Sequence, residues 1–216
     1  MNAFANAFLL VYAALFPIVN PIAAAPLFLG LTQFSTDKER NVLARRIAIN
    51  SFFLLLGSLF VGSHVLEFFG ISLPVVRIAG GLVVTVFGWK LLNSDARPDG
   101  ERPTASAGTT TPDSFYPLTM PLTVGPGSIS VAITLGSQRP NFVDPAHLAL
   151  LASAAITGIL AMAATVYLSY RFADQTVAKL GTTGTNVFVR LSAFIMLCIG
   201  IQILWSGWSE LASLPH

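Results

Sequence analysis

The sequence has few charged residues. Asp, Glu, Lys and Arg make up 10% of its 216 residues, against about 25% in an average soluble domain, and the mean hydropathy is +0.71. The net charge is only +2, and no cluster of basic residues is interleaved with aromatic ones, which argues against a nucleic-acid partner. The composition therefore predicts an integral membrane protein whose surroundings are the lipid bilayer.

Cysteine and buried carboxylates are also scarce. Cys198 is the single cysteine, which excludes an intramolecular disulfide, and its apolar neighbours predict a small buried side chain. No Asp or Glu lies near the centre of a long apolar segment. A fixed buried carboxylate is the usual proton relay or partner of a cationic substrate, so its absence argues against cation transport. Since metal-ligand spacing is also missing, the sequence predicts no metal, no cofactor and no intramembrane enzyme.

Long apolar segments dominate what remains. A membrane span needs about 20 mostly apolar residues, and six segments qualify: 4–32, 42–69, 75–92, 115–136, 147–170 and 187–208. The stretch 93–114 is rich in Pro, Gly, Ser and Thr, which is typical of a linker. The sequence therefore predicts an all-α membrane protein in which residues 1–92 and 115–216 form two three-helix repeats joined by a linker at 93–114.

The basic residues predict the orientation of these spans. Ten of the twelve Lys and Arg residues would share one side of the membrane, and Arg77 and Arg139 would lie on the other. Basic residues concentrate in cytoplasmic loops, so the linker is predicted to be cytoplasmic and both termini non-cytoplasmic. Because each half has an odd number of spans, the second half must be inverted relative to the first, an arrangement known in secondary transporters. The sequence therefore predicts alternating access by rocking of the two inverted halves against each other.

Two proline runs align without a gap at an offset of 100 residues. The first contains Pro17, Pro21 and Pro26, and the second contains Pro117, Pro121 and Pro126. An interior proline removes a backbone donor and clashes with the carbonyl four residues earlier, and a freed polar group is costly in hydrocarbon. The runs therefore predict that the first and fourth spans are discontinuous, unwound at 19–25 and 119–127, and that Pro26 and Pro126 take early positions of the following helices.

A broken helix offers chemistry to a solute. The unwound stretch exposes carbonyls, and the following helix presents free N–H groups with partial positive charge, so together they suit a zwitterion. The predicted substrate-binding residues are Asn20, Pro21, Ala23, Ala24, Thr119, Thr123, Gly125, Pro126, Gly127 and Ser128. The predicted helix-breaking or gating residues are Pro17, Pro26, Pro117, Pro121, Arg77 and Arg190. In the alternative interpretation, the prolines only kink two helices and the glycines help them pack.

The same residues carry a family resemblance. Segments 16–29 and 121–130, and the approach to the last span at 180–184 with Arg190 and Gln202, resemble the MarC family, also called small neutral amino acid transporters. Ala23 stands where that family often has glycine. The resemblance implies six spans in a bacterial or archaeal inner membrane and transport of small neutral amino acids such as glycine and alanine, with H+ or Na+ as candidate coupling ions. A channel or exporter for another small neutral solute stays open as the alternative, and no oligomeric state is predicted.

Overall fold

The regular structure is helical throughout the described part of the chain. The computed structural model describes residues 3–93, 113–137 and 144–213, so the predicted linker lies almost wholly outside it. The elements are α1 (Ala3–Val19), α2 (Pro21–Leu31), α3 (Asp37–Phe68), α4 (Leu73–Asn93), a π segment (Ser114–Thr123), α5 (Pro126–Ser137), α6 (Pro145–Arg171) and α7 (Ala173–Ala212). The prediction of an all-α protein is confirmed for these residues.

Five helices among the described residues are long and apolar enough to cross a membrane. They are Ala3–Leu31, Asp37–Phe68, Leu73–Asn93, Pro145–Arg171 and Thr183–Ala212, and they correspond to five of the six predicted spans. The predicted span at 115–136 is not a sixth helix of this kind, since it is divided between the π segment and α5. Twelve residues of α5 rise about 18 Å, less than the roughly 30 Å of a hydrocarbon core.

Local chemistry fixes several helix ends. The Thr36 hydroxyl accepts from the Glu39 N–H at 3.3 Å, and the Glu39 carboxylate accepts from the Thr36 N–H at 2.7 Å, which is the reciprocal cap that starts many helices. Gly70, at φ 66°, supports the turn between α3 and α4. Gly181, at φ 67°, bends α7, so the predicted span at 187–208 is the inner part of a longer element.

The most extensive helix packing joins α4 and α7. A methyl group added at Gly81 would lie 2.6 Å from the Leu204 nitrogen, and one at Gly88 would lie 2.8 Å from the Leu197 nitrogen. Since the higher number on α4 faces the lower number on α7, the two helices are antiparallel. Small residues allow such contact between membrane helices, and Gly81 and Gly88 provide it here. Gly57 of α3 differs, because no atom of the described residues lies within 4 Å of its added methyl group.

The two halves of the chain share one core. The short helix after each proline run packs on long helices of the other half: α2 on α6 and α7, and α5 on α3 and α4. Leu15 and Ile47 from the first half lie in one buried cluster with Leu118 and Ile159 from the second. This exchange brings the two proline runs towards each other. Cys198, predicted to be buried, is instead exposed on α7.

Candidate substrate site between two helix breaks

The first helix break is a single residue. Asn20 has left-handed angles, φ 43° and ψ 57°, which Asn tolerates better than most side chains. Its N–H donates to the Phe16 carbonyl at 2.9 Å, and its carbonyl accepts from Ala24 at 3.0 Å. The predicted unwinding over 19–25 is therefore wrong, because Pro21 already begins α2 and the hydrogen-bond ladder is interrupted by one turn only.

The other two prolines of the first run do not break a helix. Pro17 lies inside α1 and Pro26 lies inside α2. The expectation that Pro26 takes an early position of its helix is wrong, since it is the sixth residue of α2. Each costs one donor, and neighbouring helices make a single loss tolerable in a membrane protein.

The second break is wider and contains two residues with extended backbone angles. Tyr116 (φ −122°, ψ 127°) and Met120 (φ −117°, ψ 118°) lie inside the π segment with non-helical angles. Each directly precedes a proline, Pro117 or Pro121, whose ring disfavours helical angles in the residue before it. Here the prolines interrupt regular helix, as the sequence predicts.

Two threonine hydroxyls satisfy carbonyls in this wide turn. Thr119 Oγ1 donates to the Ser114 carbonyl at 2.6 Å, and Thr123 Oγ1 donates to the Leu118 carbonyl at 2.8 Å. Both span five residues instead of the four of an α-helix. The side-chain bonds therefore follow the same five-residue spacing as the backbone bond from the Val124 N–H to the Thr119 carbonyl at 2.8 Å.

The helix that follows starts as predicted, with Pro126 as its first residue. The Gly125 carbonyl accepts from the Ile129 N–H at 3.1 Å and from Ser128 Oγ at 2.9 Å. The first N–H groups of a helix lack intrahelical acceptors, so the N–H groups of Gly127 and Ser128 are the donors at this end.

Both breaks open onto one cavity of about 80 Å³ between α2, α4 and α5. Eight of the ten predicted substrate-binding residues line it: Asn20, Ala23, Ala24, Thr123, Gly125, Pro126, Gly127 and Ser128. Pro21 and Thr119 are buried outside its wall, where Thr119 also accepts a weak 3.4 Å bond from Asn50. The structure thus brings most of the predicted substrate-binding residues together, while their role in binding stays a prediction.

Sequence reasoning missed the wall that α4 contributes. Val83, Val84, Phe87 and Leu91 line the cavity, but α4 is apolar on all sides, so no periodic signal separates this face from the lipid-facing one. Gly127 also has a second role, since a methyl group there would overlap the Val84 side chain. For Gly127, the alternative interpretation as a packing glycine therefore holds together with its place at the cavity.

A tyrosine from α6 braces the second break. Tyr170 is buried, its ring stacks on Phe28 of α2 with centroids 4.6 Å apart, and its hydroxyl lies 2.7 Å from Thr123 Oγ1. The single hydroxyl proton of Thr123 is used on the Leu118 carbonyl, so Tyr170 is the donor in this pair. Tyr170 therefore connects α2 to the residue that ends the π segment.

We expect Tyr170→Phe to lower the free energy of unfolding by about 1 kcal/mol, the net value of one hydrogen bond. Thr123→Val should cost about 2–3 kcal/mol, because it leaves a buried tyrosine hydroxyl without a partner. A double-mutant cycle in detergent should return a coupling near 1 kcal/mol. The control variants are Tyr12→Phe and Thr165→Val. They remove a partly buried 3.0 Å hydrogen bond between α1 and α6 and should lower stability without changing the cavity. Strictly additive effects at 123 and 170 would contradict the brace.

The two arginines predicted to gate lie away from the cavity. Arg77 forms an ion pair with Glu210 at one end of the α4–α7 pair. Arg190 lies three residues before Ala193, whose carbonyl faces Gly88 towards the other end. Neither lines the cavity wall, so a direct contact with substrate is not their role, and gating stays a prediction.

Comparison with known proteins identifies the family of this chain. Residues 5–212 match the family described as MarC family integral membrane protein. The chain belongs to the MarC family. It is 31% identical over 209 residues to the inner membrane protein MarC of Citrobacter koseri, covering 94% of both chains. It is 30% identical to the membrane protein YvbG of Bacillus subtilis, over 91% of this chain and 92% of that one.

The similarity extends to archaea. The membrane protein MJ1677 of Methanocaldococcus jannaschii is 29% identical over 203 residues, covering 93% of this chain and 95% of the relative. No solved structure matches the chain. The family resemblance inferred from the proline runs is thereby confirmed, and this MarC family member is a membrane protein.

Proposed function

We propose that this protein is a secondary transporter of small neutral amino acids, of the size of glycine and alanine, and not an enzyme. The observation that carries the proposal is the meeting of two helix breaks at one cavity of about 80 Å³. Sites for drug-sized ligands occupy roughly 300–1,000 Å³. The cavity therefore suits a solute of a few non-hydrogen atoms and not a drug.

The polar groups at the cavity fit a zwitterion. The N-terminus of α5 offers the N–H groups of Gly127 and Ser128 to a carboxylate, helped by the helix dipole. Asn20, whose side chain makes no capping bond, and the carbonyls at the breaks offer acceptors to an ammonium group. Among the described residues, no acidic or basic side chain lines the wall, which favours a solute of zero net charge.

The full architecture that we propose has six spans in two inverted repeats. The π segment and α5 together form the interrupted fourth span, equivalent to α1 and α2. The antiparallel α4–α7 pair supports this relation, and so does the exchange of partners, in which α2 packs on α6 and α7 as α5 packs on α3 and α4. Relatives named as inner membrane proteins support the same location here. The proposed orientation, with both termini non-cytoplasmic, rests on the placement of the basic residues.

The proposed alternating access rests on which helices carry the two walls of the cavity. One wall is α2, carried by α6 and α7, and the opposite wall is α5, carried by α3 and α4. We infer that relative movement of these two groups, and not of residues 1–92 against 115–216, opens the cavity to each side. Coupling to an H+ or Na+ gradient is part of the proposal.

Ligand-dependent stability tests the substrate class. Glycine or alanine at 100 times its dissociation constant should stabilise the purified protein by about 2.7 kcal/mol, read as a rise in melting temperature, whereas lysine and glutamate should not. Proteoliposomes should show saturable glycine flux with counterflow. Flux that does not saturate would indicate a channel, and neither stabilisation nor flux with any neutral amino acid would refute the proposal.

Asn20→Gly gives a sharp variant for the same assays. Glycine adopts the left-handed angles of position 20 readily, so the helix break is kept while the amide is removed. We expect about tenfold weaker glycine binding with a melting temperature near that of the wild type. Unchanged binding would show that the Asn20 side chain serves only the backbone.

A further inference from the structure

A second concave site lies on the outside of the helix bundle, between α3 and α6. This open groove has a volume of about 580 Å³ and is separate from the cavity between the breaks. Its walls are mainly apolar and include Ile49, Phe52 and Phe53 of α3 and Leu160 and Ala164 of α6. Phe53 is 63% exposed and Leu160 is 55% exposed, so the groove faces the surroundings and not the core.

One end of the groove is cationic. Arg45 lines it beside Tyr167, and the Arg171 guanidinium lies 5.7 Å from the Tyr167 ring centroid and donates to its hydroxyl at 2.6 Å. Arg45 forms no ion pair within the described ranges. The nearby Asp174 is paired with Arg40 at 2.8 Å. The groove end therefore has positive charge without a matching carboxylate.

The depth of these groups suits the boundary between headgroups and acyl chains. Arg45 lies eight residues after Asp37, about 12 Å into α3, and Arg171 is the last residue of α6. Arginine near the end of a membrane helix extends towards the interface. Phe52, Phe53 and Leu160 then lie deeper, where hydrocarbon is the expected neighbour.

We propose that this groove is a binding site for an anionic phospholipid. The phosphate accepts hydrogen bonds from Arg45 and Arg171, and one acyl chain lies along Phe53 and Leu160. Basic pockets between membrane helices recognise acidic lipid headgroups in this way. A second copy of the chain fits less well, because the two Arg45 side chains of a symmetric dimer would lie at the same membrane depth and repel each other.

Two neighbouring arginines allow a matched test on the full chain in detergent. Phosphatidylglycerol should raise the melting temperature and bind in native mass spectrometry more tightly than phosphatidylcholine. Arg45→Gln should weaken phosphatidylglycerol binding about tenfold. Arg46 is the next residue, is also exposed and does not line the groove, so Arg46→Gln should bind within about twofold of the wild type. Equal losses for the two variants, or equal binding of both lipids, would overturn the proposal.

Two further arms separate the lipid from other occupants. Ala164→Trp should fill the groove and reduce phosphatidylglycerol binding while both arginines remain. Inorganic phosphate alone should give no shift; a shift of equal size would identify a plain anion site and refute a lipid. Ala164→Trp converting a dimer to a monomer, without any preference for phosphatidylglycerol, would refute the proposal in favour of a protein interface. None of these measurements depends on amino acid transport.

Discussion

Gly81→Ala is expected to destabilise the protein by about 3 kcal/mol. The added methyl group would lie 2.6 Å from the Leu204 nitrogen and 2.8 Å from the Gly200 carbonyl. Both neighbours are backbone atoms, which cannot change rotamer to make room, so α4 and α7 must separate. Overpacking typically costs 1–3 kcal/mol. Close contact would be lost along the whole α4–α7 interface, here called the seam, so the cost at Gly81 should be at the upper end of this range. Proteins of this size have only about 5–15 kcal/mol of stability, so much of it depends on this contact.

Gly57→Ala is the matched control, with an effect of opposite sign. Position 57 also lies inside a long helix, but within the described part of the chain no atom lies within 4 Å of its added methyl group. Alanine favours a helix over glycine by roughly 0.5–1 kcal/mol, so this variant should equal or exceed the wild type in stability. The stability of both variants can be measured by SDS unfolding and by the melting temperature in detergent. Equal effects at 57 and 81 would contradict the role of the seam.

Gly200→Ala tests the seam from the other side. Its methyl group would lie 2.5 Å from the Thr85 nitrogen, so we expect a loss similar to that of Gly81→Ala. Once one substitution has separated the helices, the second finds more room, and the double variant should lose less than the sum of the single ones. Because α4 also forms a cavity wall, glycine binding should weaken together with stability.

The long helices could be predicted because hydropathy alone sets their extent. The bounds of α4 and α6 differ from the predicted spans 75–92 and 147–170 by one or two residues at each end. A bilayer requires about 20 apolar residues whatever packs beside them. Prediction was less accurate at α7, where the kink at Gly181 joins a polar stretch to the span, and hydropathy does not detect that the helix continues.

The two proline runs show what spacing alone cannot predict. Their prolines align at every position, yet the first run breaks at Asn20 only and the second forms a wide turn. At the offset of 100, Thr119 and Thr123 correspond to Val19 and Ala23. The threonines donate to carbonyls five residues earlier, which Val and Ala cannot do. Without those donors, the first run keeps α-helical bonds everywhere except at the residue that tolerates left-handed angles.

The cavity was predictable in part. The meeting of the two breaks follows from the predicted repeat, because two halves of opposite orientation would direct both breaks towards the same region. The repeat does not predict the positions of Phe87 and Leu91 of α4 or of Tyr170 of α6. These positions depend on the rotation of each long apolar helix about its own axis. Rotation is set by close contacts such as Gly127 against Val84, which one sequence does not reveal.

Gly125→Leu is expected to weaken glycine binding about 100-fold and reduce transport to background, without unfolding the protein. Gly125 lines the cavity, and it is not among the glycines with positive φ in the described residues. It precedes a proline, where extended angles suit any residue, so the backbone should accept leucine. Its side chain then competes with the solute for about 80 Å³. Gly125→Ala should give a graded loss of about tenfold, since one methyl group occupies less of that space.

Gly30→Leu is the control for this variant, because Gly30 lies on the exposed side of α2 with no atom within 4 Å of its added methyl group. Isothermal titration with glycine, counterflow in proteoliposomes and the melting temperature should be measured on all three variants. A 100-fold change corresponds to about 2.7 kcal/mol of binding free energy, well above the error of these methods. Wild-type glycine affinity in Gly125→Leu would move the substrate site away from the two breaks, whereas loss in Gly30→Leu as well would point to an indirect effect through α2.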